Sequence, residues 1–144
     1  MKLIENLTEK QCYIIDFLPE KVSADCGGQF FSVEEFLLKD KKYGLTEKFI
    51  RVILKIMCYY PVKLITDGCE KEPTPDYICK ITEKVMNERS GDIYLLLKND
   101  ETLINIKGDC LYISVFNPDD AMISLFEKLA LSEGLFFRLS TKYN

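Results

Sequence analysis

The chain has 144 residues, of which 47% are hydrophobic and 29% charged, and it carries a net charge of −4 with no histidine. This size and balance fit one globular domain with a single core, while the acidic charge argues against nucleic-acid binding, which needs a basic face. Without histidine there is no Ser-His-Asp triad, no Cys-His dyad and no imidazole metal ligand.

Several features of the sequence bear on where the protein works. The first residues are too charged for a signal peptide, and no apolar run approaches the roughly 18 residues that span a bilayer. We therefore expect a cytoplasmic protein with no membrane contact. Four of the six cysteines lie within predicted strands or helices, where we expect small buried hydrophobic residues rather than a disulfide framework. A zinc site could be built only from Cys26, Cys58, Cys69 and Cys79. Such a site is disfavoured because these cysteines lack the closely spaced pairs that structural zinc sites usually have.

The first half of the chain predicts one long strand and three helices. Alternating apolar residues indicate a strand over residues 11–18, in which Asp16 is the exceptional residue. A loop over residues 20–29 follows. Ser32 with Glu35 has the capping-box pattern of a short helix, in which Phe36 and Leu37 are expected to face inward. A second helix is predicted over residues 45–59, with Thr46 as its cap. A short strand over residues 62–65 and an irregular loop over residues 67–73 follow it. The third helix is capped by Thr74 and ends near Arg89.

Residues 92–139 predict a β-β-β-α-β unit. The almost wholly apolar run over residues 93–97 indicates a strand buried on both faces. Gly108 is expected to take the positive φ that a turn between strands often needs. Asn117 as cap and Pro118 at the first helical position predict the helix start. The other strands are predicted over residues 102–106, 110–116 and, after the helix, 135–139.

These elements predict a single α+β domain over residues 1–144. Its sheet would be mixed or mainly antiparallel, with about four or five strands, and would pack with about four helices. The helix before the last strand is long enough for a parallel crossover, so the sequence leaves the strand order open. Within this domain, residues 1–91 could form a helical layer on the sheet unit of residues 92–140.

Cys26 and Asp16 are the two weak candidates for catalysis. Cys26 lies between Asp25 and Gly27-Gly28, where exposed backbone amides can lower the pKa of a thiol and form an oxyanion hole. No base accompanies it, which favours an ordinary small residue in a tight turn. Asp16, with Glu20 and Asp25, would suit acid–base chemistry or a hard cation. The alternative for Asp16 is a place at a sheet edge, or hydrogen bonds from the backbone of the following loop.

Adjacent aromatic residues give the stronger functional signal. Phe136 and Phe137 point to opposite faces of a strand, so both cannot enter one single-sided core. One ring would be exposed or covered by a partner, and an exposed ring beside Arg138 suits a protein interface. The alternative is a sheet covered on both sides within the monomer. Phe30-Phe31, beside the glycine turn, has the same ambiguity.

These observations favour a non-enzymatic cytoplasmic interaction module: a binding, inhibitor or immunity-type protein, or an accessory subunit. The predicted partner is another protein or a second copy of the chain, with no cofactor, nucleic acid or membrane. The predicted contact residues are Phe136, Phe137, Arg138, Phe30 and Phe31. The alternative is a small enzyme or ligand-binding domain with a pocket near residues 25–28 that uses Cys26 or Asp16.

Overall fold

The structure is a computed structural model that describes residues 2–140, apart from the side chain of Lys41. Within this range it has five α-helices and seven strands, so the predicted α+β class is confirmed and the sheet is larger than expected. The helices are α1 Lys2–Leu7, α2 Phe30–Lys39, α3 Leu45–Ile56, α4 Pro75–Glu88 and α5 Asp120–Ser132. The strands are β1 Cys12–Asp16, β2 Val62–Thr66, β3 Cys69–Lys71, β4 Asp92–Leu97, β5 Thr102–Lys107, β6 Tyr112–Phe116 and β7 Phe136–Leu139.

All seven strands belong to one antiparallel sheet with the order β3-β2-β4-β5-β6-β1-β7. β1 lies between β6 and β7 and is antiparallel to both, so β6 and β7 run in the same direction. α5 makes the connection between them, as the length of that segment allows. The segment before residue 92 thus supplies three strands to the sheet as well as four helices.

The main core lies between one face of the sheet and helices α3, α4 and α5. Strand side chains alternate between faces, and the inward set includes Leu95, Ile104 and Ile113, all inaccessible to solvent. Phe49 of α3 and Phe126 of α5 fill the space above them. Each such side chain contributes about 1.5–3 kcal/mol through burial, so these contacts dominate the stability of the fold.

Helix α1 covers part of the opposite face of the sheet. Ile4 and Leu7 pack there against Leu96, Leu103 and Phe116. β4 is consequently buried on both faces, as its apolar run predicted. The helix itself was not predicted, because two buried side chains in six residues are too few to show a helical period.

The helix caps in the first half of the chain differ from prediction at two of three places, although α3 begins at residue 45 as predicted. α2 begins at Phe30 rather than at Ser32, so the capping box is not used. α3 begins after Gly44, which has a φ of 59°, and Thr46 is a buried residue inside the helix. The prediction for α4 is confirmed, because the hydroxyl of Thr74 accepts the backbone N–H of Tyr77 at 3.2 Å.

The start of α5 was predicted two residues too early. Asp119, and not Asn117, accepts the N–H of Met122 at 2.9 Å and caps the helix. Asn117 has a φ of 61°, a left-handed conformation that asparagine tolerates. Its side-chain amide donates to the carbonyl of Glu101 at 2.9 Å, which fixes the turn before the helix.

The predicted irregular loop over residues 67–73 contains the edge strand β3. Asp67 and Gly68 have φ values of 53° and 72°, and two successive positive φ values are typical of a tight hairpin turn. All three residues of β3 are exposed, so the segment lacks the apolar alternation by which strands are recognised.

The predicted positive φ at Gly108 was wrong. A glycine is required there because two backbone segments approach each other closely. Its N–H donates to the carbonyl of Gly91 at 2.9 Å. A Cβ at this position would lie 2.3 Å from the carbonyl oxygen of Val85 and 2.5 Å from the backbone nitrogen of Ser90. The β5–β6 turn therefore packs directly on the end of α4.

Glu133 links the end of α5 to α3. Its carboxylate accepts Arg51 Nε at 2.6 Å and Lys55 Nζ at 2.7 Å, and its side chain is 9% exposed. Burial alone would raise the pKa of Glu133, but the hydrogen bonds from Lys55 and Arg51 outweigh it and hold the pKa below the ordinary 4.5. A carboxyl group with a lowered pKa stabilises the fold above its unfolded pKa and loses this effect as the pH falls through its folded pKa.

We therefore expect Glu133→Gln to lower the free energy of unfolding by about 1–3 kcal/mol at pH 7, because charged hydrogen bonds are lost. The difference from the unaltered protein should shrink toward zero as the pH falls below 4.5, the ordinary pKa of the group. Urea unfolding of both proteins between pH 7 and pH 3 measures this effect. A difference that stays constant with pH would contradict the assignment.

Candidate functional site

Residues 17–43, which connect β1 to α3, form the most exposed long stretch of the described chain. No residue in it whose side chain is described is buried, although it includes the ten-residue helix α2. The half-buried Leu37 and Leu38 attach α2 to the core. Glu34 adds an ion pair with Arg89 at 3.4 Å. Phe30 is also half-buried, and the other side chains of the helix are exposed.

Four large apolar side chains of this stretch are exposed, and we refer to them as the α2 apolar surface: Phe31, Val33, Phe36 and Tyr43. Phe31 is 79% exposed and Phe36 is 54% exposed. Single exposed apolar residues are common on protein surfaces, whereas large contiguous apolar patches are typical of interaction sites. The sequence had pointed to Phe31 but not to the other three.

Three of these side chains, Phe31, Phe36 and Tyr43, take part in ring contacts. Phe30 stacks on Phe17 with a centroid distance of 6.0 Å, and Phe31 meets the edge of Phe30 at 5.4 Å. Phe36 contacts Tyr43 at 5.5 Å. Phe30 is half-buried and anchors the group, whereas Phe31 is presented outward. Rings fixed before binding lose less conformational entropy on contact with a partner.

The C-terminal aromatic pair divides between the two faces of the sheet, as the alternation predicted. Phe137 stacks on Tyr13 at 5.0 Å and on Phe126 at 5.3 Å within the core, so it is held inside the domain. Phe136 and Arg138 lie on the opposite face and are half-buried. All three residues of this predicted set are half-buried, and Phe137 packs against the core.

Asp16 is paired with Arg138. Its Oδ2 accepts Arg138 Nη2 at 2.7 Å, and its Oδ1 accepts the N–H of Phe17 at 2.7 Å. Asp16 is 8% exposed and lies in an interior strand, so the sheet-edge alternative was wrong and the backbone hydrogen bond is confirmed. Both carboxylate oxygens therefore accept a hydrogen bond within the fold. Glu20 and Asp25 are exposed and make no contact with Asp16 in the described part of the chain.

Cys26 is exposed in a loop whose polar groups bond to one another. Its Sγ accepts the N–H of Gly28 at 3.4 Å. The neighbouring carboxylate of Asp25 accepts the hydroxyl of Ser23, and this hydrogen bond lowers the pKa of Asp25. No hydrogen bond from a basic group reaches the thiol within residues 2–140. The arrangement gives Cys26 an amide donor but no base.

The other cysteines are free thiols, and none of the six is fully buried. The expectation of four buried cysteines was therefore wrong. Cys58 follows the last turn of α3 and is exposed, whereas Cys12, Cys79 and Cys110 are half-buried. Burial raises the pKa of Cys79 and of Cys110, which makes these two thiols poor nucleophiles at neutral pH. Among residues 2–140, no three Cys, Asp or Glu side chains lie together where they could hold a metal ion.

A small cavity of about 70 Å³ lies between α2, α3 and α4. It is lined by the apolar Leu37, Leu38 and Leu45 and by the polar Asp40, Thr46, Glu47, Glu83 and Asn87. Sites for drug-sized ligands usually enclose about 300–1,000 Å³, so this cavity suits only a small group. The sequence did not indicate it, because its lining comes from three helices.

Comparison with known proteins adds no relative: no protein-family model, curated protein or solved structure matches this chain. In the described residues, the helices are all too short or too polar to cross a membrane. Any assignment therefore depends on the geometry of the chain itself.

Proposed function

We propose that this α+β domain is a non-enzymatic cytoplasmic interaction module that binds another protein, or a second copy of itself, through the α2 apolar surface. A binding, inhibitor or immunity-type protein and an accessory subunit are the roles that fit such a module. The contact would be centred on Phe31 and Phe36, with Phe30 supporting Phe31 from behind. Phe136 and Arg138, both half-buried, form a second, smaller candidate set on the opposite face of the sheet from Phe137.

The observation that carries this proposal is the exposure of 79% at Phe31, on a helix with no buried residue. A helix of this length is marginal by itself in water and draws its stability from packing. Its exposed aromatic side chains leave apolar area in contact with water. Covering each large ring would contribute about 1.5–3 kcal/mol to binding, before the costs of association.

The alternative, an enzyme with a pocket near residues 25–28, has less support. The N–H of Gly28 directed at Cys26 Sγ is the one feature that favours it. The described cavity lies elsewhere, between α2, α3 and α4, and Asp16 is engaged by Arg138. A nucleophilic thiol without a base would also need an exceptional local charge.

We expect the double substitution Phe31→Ser and Phe36→Ser to weaken partner binding by at least about thirtyfold, as loss of central aromatic contacts does at other interfaces. The fold should persist, because both side chains are exposed. The measurement is capture of a stoichiometric partner from cytosol by the tagged chain, together with its mass under non-denaturing conditions to detect self-association.

The matched control is Leu131→Ser on α5, where the side chain is 57% exposed but lies outside the α2 apolar surface. This variant should bind as the unaltered protein does. Equal capture by the control and by the double variant would refute the proposed contact surface, and so would a monomer for which no partner is found.

A further inference from the structure

The sheet has two edge strands, β3 and β7, and they differ in character. Every residue of β3 is exposed, and Glu70 and Lys71 place charges on that edge. Short, charged edge strands are one way in which native proteins prevent a sheet from pairing with another chain. β7 has no such protection, because three of its four residues are apolar and its one charge, on Arg138, is paired with Asp16.

The backbone groups of β7 that face away from β1 can be identified from the hydrogen-bond pattern. Ser140, directly after β7, donates its N–H to the carbonyl of Cys12 at 2.9 Å. Antiparallel pairs alternate, so the even-numbered residues of β7 bond to β1. The bond between the residue after β6 and the residue before β1 agrees, because it assigns the odd-numbered residues of β1 to β6. The N–H and C=O groups of Phe137 and Leu139 therefore point to the free edge, where no described strand pairs with them.

The core is also open at this edge. Phe137 is half-buried, although its ring stacks on two core rings, and Leu139 on the same face is 48% exposed. The edge thus combines free backbone donors and acceptors with uncovered apolar side chains. A second extended strand fits such an edge, because its own donors and acceptors alternate at the same spacing.

We propose that two copies of this chain associate through β7, and that each adds its strand antiparallel to the sheet of the other. A symmetric pair closes on itself, so association would stop at a dimer whose outer edges are the two charged β3 strands. Pairing of β7 with β3 of another copy would instead repeat without end, and the charges of β3 oppose it.

Charge selects between the two symmetric registers that align the free backbone groups. If Arg138 lay opposite Arg138 of the second copy, two positive charges would face each other across the strands, which is destabilising. If Phe137 lies opposite its own copy, each Arg138 instead faces Phe136 of the other chain. The guanidinium binds Asp16 through one N–H, at 2.7 Å, so its flat face is available to stack on that ring. The second register is therefore the expected one.

This register satisfies the backbone and the side chains of the edge together. The two Phe137 residues would exchange a pair of backbone hydrogen bonds, and each Leu139 N–H would donate to the carbonyl of Leu135 in the other chain. On the core face, the Phe137 rings would meet at the symmetry axis and each exposed Leu139 would be covered. The contact uses no residue of the α2 apolar surface, so it does not rest on the proposed function.

The first test is amide hydrogen exchange of the unaltered chain, followed by NMR at about 30 μM and about 1 mM, with sedimentation equilibrium to measure mass. We expect a reversible dimer with a Kd on the order of tens of micromolar. The higher concentration should slow exchange at Phe137 and Leu139 at least about threefold. Exchange at Phe136 and Arg138, which bond to β1 in either state, should change little. A monomer at both concentrations would overturn the proposal, and so would protection of Phe137 and Leu139 that requires a different protein.

Leu139→Pro tests the backbone contact directly. Proline lacks the N–H that points to the free edge and places its ring there, whereas the bonds from β7 to β1 do not involve this residue. The Kd of the dimer should rise at least about thirtyfold. The matched control, Leu139→Thr, also loses the leucine side chain but keeps the N–H, so its Kd should rise less than about tenfold. Equal weakening by the two variants would reject strand pairing. The exchange measurement needs no variant and decides the matter if proline disturbs the fold.

This proposal and the proposed function fail separately. Phe31→Ser with Phe36→Ser should leave the β7 dimer intact, and Leu139→Pro should leave capture of a different protein intact. If the double variant abolishes self-association and Leu139→Pro does not, the copies associate through α2 and the pairing of β7 is rejected. If only Leu139→Pro abolishes it, β7 carries self-association and the α2 apolar surface is left for another protein.

Discussion

Gly108→Ala is expected to lower the free energy of unfolding by about 3 kcal/mol or more. The new Cβ would lie 2.3 Å from the carbonyl oxygen of Val85 and 2.5 Å from both backbone polar atoms of Ser90. These atoms belong to the backbone at the end of α4 and cannot rotate away as a side chain can. The β5–β6 turn and the helix end would have to separate, which breaks the hydrogen bond from Gly108 to Gly91.

Urea unfolding followed by circular dichroism measures this loss, and Gly28→Ala is the control. The Cβ of residue 28 would meet only the thiol of Cys26, at 3.5 Å, and its φ is not positive. The control should therefore be within about 0.5 kcal/mol of the unaltered protein, or slightly more stable because alanine restricts the unfolded chain. Similar stabilities for the two variants would show that the turn does not need this close approach.

Asp16→Ala is expected to destabilise the fold by about 2–4 kcal/mol. The substitution leaves the guanidinium of Arg138, whose side chain is only 19% exposed, without its carboxylate. It also removes the acceptor for the N–H of Phe17. We expect a smaller loss of stability than for breaking a fully buried ion pair, because Arg138 keeps some contact with water. Chemical denaturation at neutral pH is the measurement.

A second substitution distinguishes the loss of the Asp16–Arg138 ion pair from damage to strand β1 itself. If the cost arises from an uncompensated charge, Asp16→Ala combined with Arg138→Met should be less destabilised than Asp16→Ala alone, because both charges are gone. Capture of a partner by the double variant should persist if α2 carries the contact. A double variant whose loss equals the sum of the two single losses would contradict the coupling.

The elements of this fold that the sequence predicts are those whose neighbouring residues form a recognisable pattern. The β-β-β-α-β unit was recognised because β4 is almost wholly apolar and the turns around it are short and polar. The position of β1 was not predictable, because its neighbours β6 and β7 are about a hundred residues away in sequence. Alternation identifies a strand but not its partners. β3 was missed for the opposite reason, since its exposed residues carry no apolar period.

The candidate site was only partly predictable. Phe30 and Phe31 were noticed as adjacent rings, but the exposure of Phe36 was not, because the helical pattern predicted an inward-facing side chain. The structure contradicts that expectation, because no side chain of α2 is buried. The acidic cavity brings together residues from three helices, and a linear sequence does not show which helices are neighbours.

The position of β1 has a consequence for synthesis of the chain. β1 is synthesised about a hundred residues before β6 and β7, between which it lies. Until they are made, β1 has neither of its partner strands, and an extended segment with exposed backbone groups is prone to pair with other chains. Contacts so distant in sequence also close slowly. β1 can therefore complete its native pairing only after synthesis has passed residue 139.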